Sequence, residues 1–225
     1  ASWEMGDWSK KEQDERDLDA EDFYREWAGK QFGKEYADEI AKIFTSIDGG
    51  PLYISGKNKR ESNLYRTSDW NKGPGGLRIA KMSDEAISQK YAFIEDLSFY
   101  LDKIQGISNK ERFLYWINTF KFSRKTAILG NSLFELDSLM TLNLDDTSSE
   151  INKDFIIKQV ITKRIQANED WRDLVHQLLS IVQTKGEMGT VANLQQHNMD
   201  YLDLLTKHDN KIVSITGEPL PESAL

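Results

Sequence analysis

The stretch Ser83-Asp-Glu-Ala-Ile-Ser-Gln-Lys-Tyr-Ala-Phe-Ile-Glu-Asp-Leu-Ser-Phe-Tyr-Leu-Asp-Lys-Ile-Gln-Gly106 decides the fold class. Ile87, Tyr91, Ile94, Leu97, Leu101 and Ile104 recur at three- and four-residue spacing, which is one face of a helix. Ser83 is a good cap with acid behind it, and Gly106 is a stop. Asn109 then opens a second helix with a core-like stripe of Phe113, Trp116, Ile117 and Phe120. The short turn between them predicts an antiparallel helical hairpin.

The same period extends outward on both sides. Asp19-Ala-Glu-Asp22 suits a helix N-terminus, and Phe23, Trp27 and Phe32 follow on one face. After Gly33, Tyr36, Ile40, Ile43, Phe44 and Ile47 mark a clear amphipathic helix that Asp48-Gly-Gly-Pro51 ends. Gly130-Asn131 reads as a break or kink, after which Leu133, Leu136, Leu139 and Met140 resume the pattern. Asp154 to Gln166 reads as helix, although Ile156-Ile157 and Val160-Ile161 also suit a strand. Glu169 to Thr184 is helical, and Lys211 to Thr216 is the one good strand candidate. The expected fold is mainly α, an irregular helical bundle with long ordered loops. Residues 1–18 read as the tail of a preceding domain or a linker, 19–208 as the helical domain, and 209–225 as a strand and linker to a following module. The opening Ala1-Ser-Trp-Glu-Met and the closing Gly217-Glu-Pro-Leu-Pro-Glu-Ser-Ala-Leu225 predict an internal segment of something longer.

Composition narrows the functional classes. The chain has 225 residues, 39% hydrophobic and 29% charged, which suits a domain with a real core and a hydrated surface. A net charge of −8 argues against nucleic acid or an anionic membrane as the main partner, since both demand a basic face. No run approaches a membrane span. With no cysteine there is no disulfide, thiolate metal site or thiol nucleophile. The three histidines, His176, His197 and His208, have no partner at metal-ligand spacing, so no metal and no cofactor are expected.

Two segments stand out against this helical background. The first is Leu64-Tyr-Arg-Thr-Ser-Asp-Trp-Asn-Lys-Gly-Pro-Gly-Gly-Leu-Arg78, inside a connection long enough to imply function or disorder. Its glycines and proline break both helix and strand periods. Trp70, Arg66, Arg78 and Asp69 combine an aromatic face with charged hydrogen-bonders, which is what recognition of a sugar ring requires. A packed loop with Trp70 in the core is the competing interpretation. The second is Gly186-Glu-Met-Gly-Thr-Val-Ala-Asn-Leu-Gln-Gln-His-Asn198, where Glu187, set between two glycines, and His197, among neutral amides, are candidate sugar contacts. An ordinary polar helix face after a glycine-rich start explains it equally well. Glycoside hydrolysis needs two carboxylates facing one bond, and Glu4, Asp7, Asp69 and Glu187 all stand in settings that could line a sugar site.

Asp69-Trp-Asn-Lys-Gly-Pro-Gly-Gly-Leu-Arg78, Asn109-Lys-Glu-Arg-Phe-Leu-Tyr-Trp-Ile-Asn-Thr-Phe120 and Gly186-Glu-Met-Gly-Thr-Val-Ala-Asn-Leu-Gln-Gln-His197 together resemble the C-terminal helical part of bacterial glycoside hydrolases described as agarase-like. Trp27-Ala-Gly-Lys-Gln-Phe-Gly33, with Ile40-Ala-Lys-Ile43, is also similar to the helical region behind the barrel of glycoside hydrolase family 115 α-glucuronidases. The resemblance runs in scattered blocks over residues 20–205. It implies a (β/α)8-type catalytic domain beside this one and outside this chain, carrying the catalytic carboxylates. This chain would then be part of a polysaccharide-degrading enzyme, periplasmic or secreted. It would supply a wall or lid of the substrate cleft, with an oligo- or polysaccharide and the neighbouring catalytic domain as its partners. Trp70 would stack on a pyranose while Arg66 and Arg78 hold hydroxyls, sulfate or uronate. No position matches a nameable catalytic motif. The rival expectation is a non-catalytic helical interaction or scaffold domain.

Overall fold

A computed structural model describes residues 20–48, 77–141 and 150–217. Among them are seven helices and no strand. These are α1 (Ala20–Phe32), α2 (Ala37–Ile47), α3 (Asp84–Lys90), α4 (Phe93–Leu101), α5 (Ile107–Thr141), α6 (Glu150–Ile181) and α7 (Met188–Thr216). The mainly α expectation holds. The expected tail at 1–18, most of the long loop at 51–82, the polar loop from Asp145 and the C-terminal linker lie outside the described residues.

The chain divides into two compact units. One holds residues 1–65 and 90–117, the other 66–89 and 118–225. In the first, α1 and α2 pack together through a turn at Gly33, whose φ of 104° a side chain would resist. Ala28 and Phe32 on α1 and Ile40, Ala41 and Phe44 on α2 are buried. Trp27 joins three helices edge-on. Its ring centroid lies 5.1 Å from Phe32, 4.8 Å from Phe44 on α2 and 5.6 Å from Trp116 on α5. Arg112 ties the start of α5 to the end of α1 by donating Nε–H to the Gln31 carbonyl at 2.9 Å, which satisfies a helix-end acceptor. Helix α4 packs on α2.

The expected single helix from Ser83 to Gly106 is two. Tyr91 and Ala92 form a tight turn, with Ile94 N–H donating to the Tyr91 carbonyl at 3.1 Å and Glu95 N–H to Ala92 at 3.0 Å. Ile87, Tyr91, Ile94, Leu97 and Ile104 are nevertheless all buried, so the apolar period survives the break. Ser83 caps α3 as expected, its hydroxyl accepting from Ala86 N–H at 3.2 Å.

In the second unit, α5 from Asn118 onward, α6 and α7 form an up-down-up bundle. Lys125 pairs with Asp173 at 2.6 Å and the Ser132 hydroxyl donates to Asp170 at 2.6 Å, so α6 descends beside α5. Tyr201 donates its hydroxyl to Asn168 at 2.6 Å and stacks on Trp171 at 5.2 Å, while Arg164 pairs with Asp209 at 2.7 Å, so α7 returns beside α6. His208 faces Asp137 at 3.4 Å, and the Lys211 ammonium donates to the Met140 carbonyl, which aligns α7 with α5. Leu129, Leu133, Leu136, Leu174, Leu178 and Leu205 fill the core.

Two local expectations are corrected here. Lys211 to Thr216 is the last turn and a half of α7 and not a strand, because Ile212 is buried in the bundle and Lys211 reaches α5. Ile156 to Ile161 is helix within a continuous α6, as the helical reading of Asp154 to Gln166 expects. Gly130 does not break α5. A methyl group there would collide with the Arg78 carbonyl oxygen, so the glycine serves close backbone approach. Asn131 beside it accepts from Met82 N–H at 2.9 Å, which fixes the segment before α3 against α5.

Candidate functional site

A groove of about 300 Å³ opens in the first unit between α2 and α4. Glu39, Lys42 and Ile43 line it from α2, and Asp96, Phe99 and Tyr100 from α4. The local sequence explains the arrangement. Ile40 and Phe44 turn inward on α2, which leaves Glu39 and Lys42 exposed; Ile94 and Leu97 turn inward on α4, which leaves Asp96 and Phe99 exposed. Phe99 is 62% exposed, an unusual setting for a large apolar ring.

The rings beside the groove form a chain. Phe99 meets Tyr100 edge-on at 5.2 Å, and Tyr100 meets Tyr36 at 5.6 Å. Lys103 Nζ lies 3.3 Å from the Phe99 centroid, 5.4 Å from that of Tyr100 and 5.7 Å from that of Tyr36. Desolvation first, then the Glu35 carboxylate, raises the Tyr36 phenol above its ordinary range, so it remains a hydroxyl donor. The wall therefore offers flat apolar faces, carboxylate acceptors and ammonium donors together. Among the described residues no group of histidine, aspartate and glutamate could hold a metal ion, and no helix is long and apolar enough to cross a membrane.

The residues singled out from sequence fall elsewhere. Trp70, Arg66 and Asp69 lie outside the described residues. Arg78 is exposed in the second unit, where its carbonyl packs on Gly130. Glu187 closes the turn between α6 and α7, with Oε2 accepting from Gln183 N–H and Thr184 N–H at 2.7 Å each and from the Thr184 hydroxyl at 3.1 Å. His197 lies within α7. Arg78, Glu187 and His197 belong to the second unit, and the α2–α4 groove to the first. The groove residues were not singled out from sequence, since Glu39 and Phe99 are far apart in the chain. The available signal was that Phe99 stands off the Ile94–Leu97–Leu101 stripe.

No protein-family model matches the chain, and no curated protein or solved structure matches it either.

Proposed function

We propose that this chain is the helical domain of a polysaccharide-degrading glycoside hydrolase, and that it holds sugar on the groove between α2 and α4. The observation that carries the proposal is the exposed Phe99 ring beside Glu39, Asp96 and Lys42. A sugar ring has an apolar C–H face and a rim of hydroxyls. Phe99 and Tyr100 supply surface for the face, the carboxylates accept from hydroxyls, and Lys42 donates to ring or hydroxyl oxygens. Bond cleavage belongs, on this proposal, to carboxylates of a neighbouring catalytic domain, and the groove contributes a wall of the substrate cleft. The resemblance to agarase-like enzymes supports the same class.

The test is calorimetric titration of the chain with neutral agarose fragments, sulfated porphyran fragments and glucuronoxylan fragments. Saturable binding by one of them, lost in Phe99→Ala and kept in Trp70→Ala, is the expected outcome. Binding lost in Trp70→Ala and kept in Phe99→Ala moves the sugar contact to the 64–78 loop. A second reading, a helical interaction domain, is favoured by Phe23, Phe99 and Ile107, which leave large apolar area in water on the first unit. Failure of every fragment to bind selects it.

A further inference from the structure

A second hollow, of about 150 Å³, lies in the same unit against the α1–α2 turn. Gly33, Lys34, Glu35 and Tyr36 line one side, and Lys103, Gln105 and Asn109 the other. Tyr36 borders this hollow and Tyr100 borders the α2–α4 groove, and their rings are 5.6 Å apart. Lys103 borders the hollow and extends its ammonium over Phe99 in the groove. The two depressions therefore adjoin across a shared aromatic ridge.

We propose that they are two subsites of one site for a neutral oligosaccharide chain, with the Tyr36–Tyr100 ridge between successive sugar units; this rests on the carbohydrate reading above. Two adjoining depressions flanking aromatic rings suit a ligand that repeats along its length, whereas one compact ligand would use one hollow. The charges identify the class. Glu35, Glu39 and Asp96 are matched by Lys34, Lys42 and Lys103. A sulfated or uronate-rich chain would meet three carboxylates, and a cationic chain three ammonium groups. A neutral chain of hydroxyls is served by both kinds of group.

The second hollow is also pre-formed. Asn109 Nδ2–H donates to the Gln105 carbonyl at 3.0 Å, and Asn109 Oδ1 accepts from Arg112 at 2.5 Å. Gly33 and Gly106, at φ of 104° and 85°, turn the chain tightly on either side of that amide. A rigid wall loses little conformational freedom when a sugar binds.

Calorimetry on the full chain with neutral agarose-derived di-, tetra- and hexasaccharides tests this, with xylo-oligosaccharides of the same lengths and sulfated porphyran tetrasaccharide alongside. The tetrasaccharide is expected to bind at least about tenfold tighter than the disaccharide. Tyr36→Ala is expected to abolish that gain while leaving disaccharide affinity within about twofold, and Phe99→Ala to weaken both lengths. Amide chemical-shift mapping of the unmutated chain gives an answer independent of how Tyr36→Ala folds. The tetrasaccharide should shift Gln105 and Asn109 as well as Asp96 and Phe99, and the disaccharide only the latter pair. Equal affinity at all lengths, or tighter binding of the sulfated fragment, overturns the two-subsite neutral-chain proposal and leaves the carbohydrate reading standing. No binding by any fragment overturns both.

Discussion

The Lys103 ammonium lies 3.3 Å from the centre of the exposed Phe99 ring. The exposed ring in the candidate groove is therefore held by a cation from the loop after α4 and not by core packing. Binding and folding should separate cleanly at this position. Phe99→Ala is expected to change the urea unfolding midpoint by less than the equivalent of about 1 kcal/mol, the range for a surface side chain with an exposed cation–π partner. The same substitution should remove sugar binding. Denaturation and calorimetry on one preparation check both halves.

Two glycine substitutions should have opposite signs. Gly130→Ala places a methyl against the Arg78 carbonyl oxygen, backbone against backbone, and is expected to cost about 1–3 kcal/mol. Gly189→Ala, in the first turn of α7 with open space around it, is expected to stabilise by up to about 1 kcal/mol, as alanine does in an exposed helix. Thermal unfolding of the two variants beside the unmutated chain measures the difference.

Stability should fall as pH drops below neutrality. Burial pushes the His208 imidazole below its ordinary range, only partly offset by Asp137 at 3.4 Å, and its Nδ1 has no hydrogen-bond partner among the described residues. A base whose folded pKa is depressed contributes stability that is complete above its unfolded pKa of about 6.5 and is lost as pH falls through the folded value. Urea midpoints at pH 7.5, 6.5 and 5.5 should therefore decline, and His208→Gln should flatten the decline.

The Arg164 guanidinium is 4% exposed, paired with Asp209 at 2.7 Å and bonded to the Leu205 carbonyl at 3.3 Å. Asp209→Ala removes the carboxylate paired with that cation and is expected to cost about 1–3 kcal/mol, less than breaking a fully buried pair because Asp209 is itself 32% exposed. Arg164→Met with Asp209→Leu should recover most of the loss. A double-mutant cycle by chemical denaturation measures it.

The helical class was legible because Ile40, Phe44, Ile94, Leu97, Phe113 and Ile117 recur with the helix period and are all buried. The turn at Tyr91-Ala92 was not legible, since no glycine or proline marks it and the apolar stripe continues across it. Gly130 was misread because glycine's usual meaning in a helix is a break, and only the Arg78 carbonyl pressing on it supplies the other meaning. Ile212, Val213 and Ile215 gave Lys211 to Thr216 its strand character, which packing in the bundle overrode. The groove was hidden because its two walls, Glu39 on α2 and Phe99 on α4, come together only through the packing of those helices.

The most direct measurement is amide chemical-shift mapping of the isotopically labelled chain during titration with neutral agarose tetrasaccharide. Saturable shifts at Glu39, Lys42, Asp96, Phe99 and Tyr100 are the predicted result. No shift with this or any other fragment of the panel, or shifts confined to residues outside α2 and α4, would contradict a sugar site on this groove.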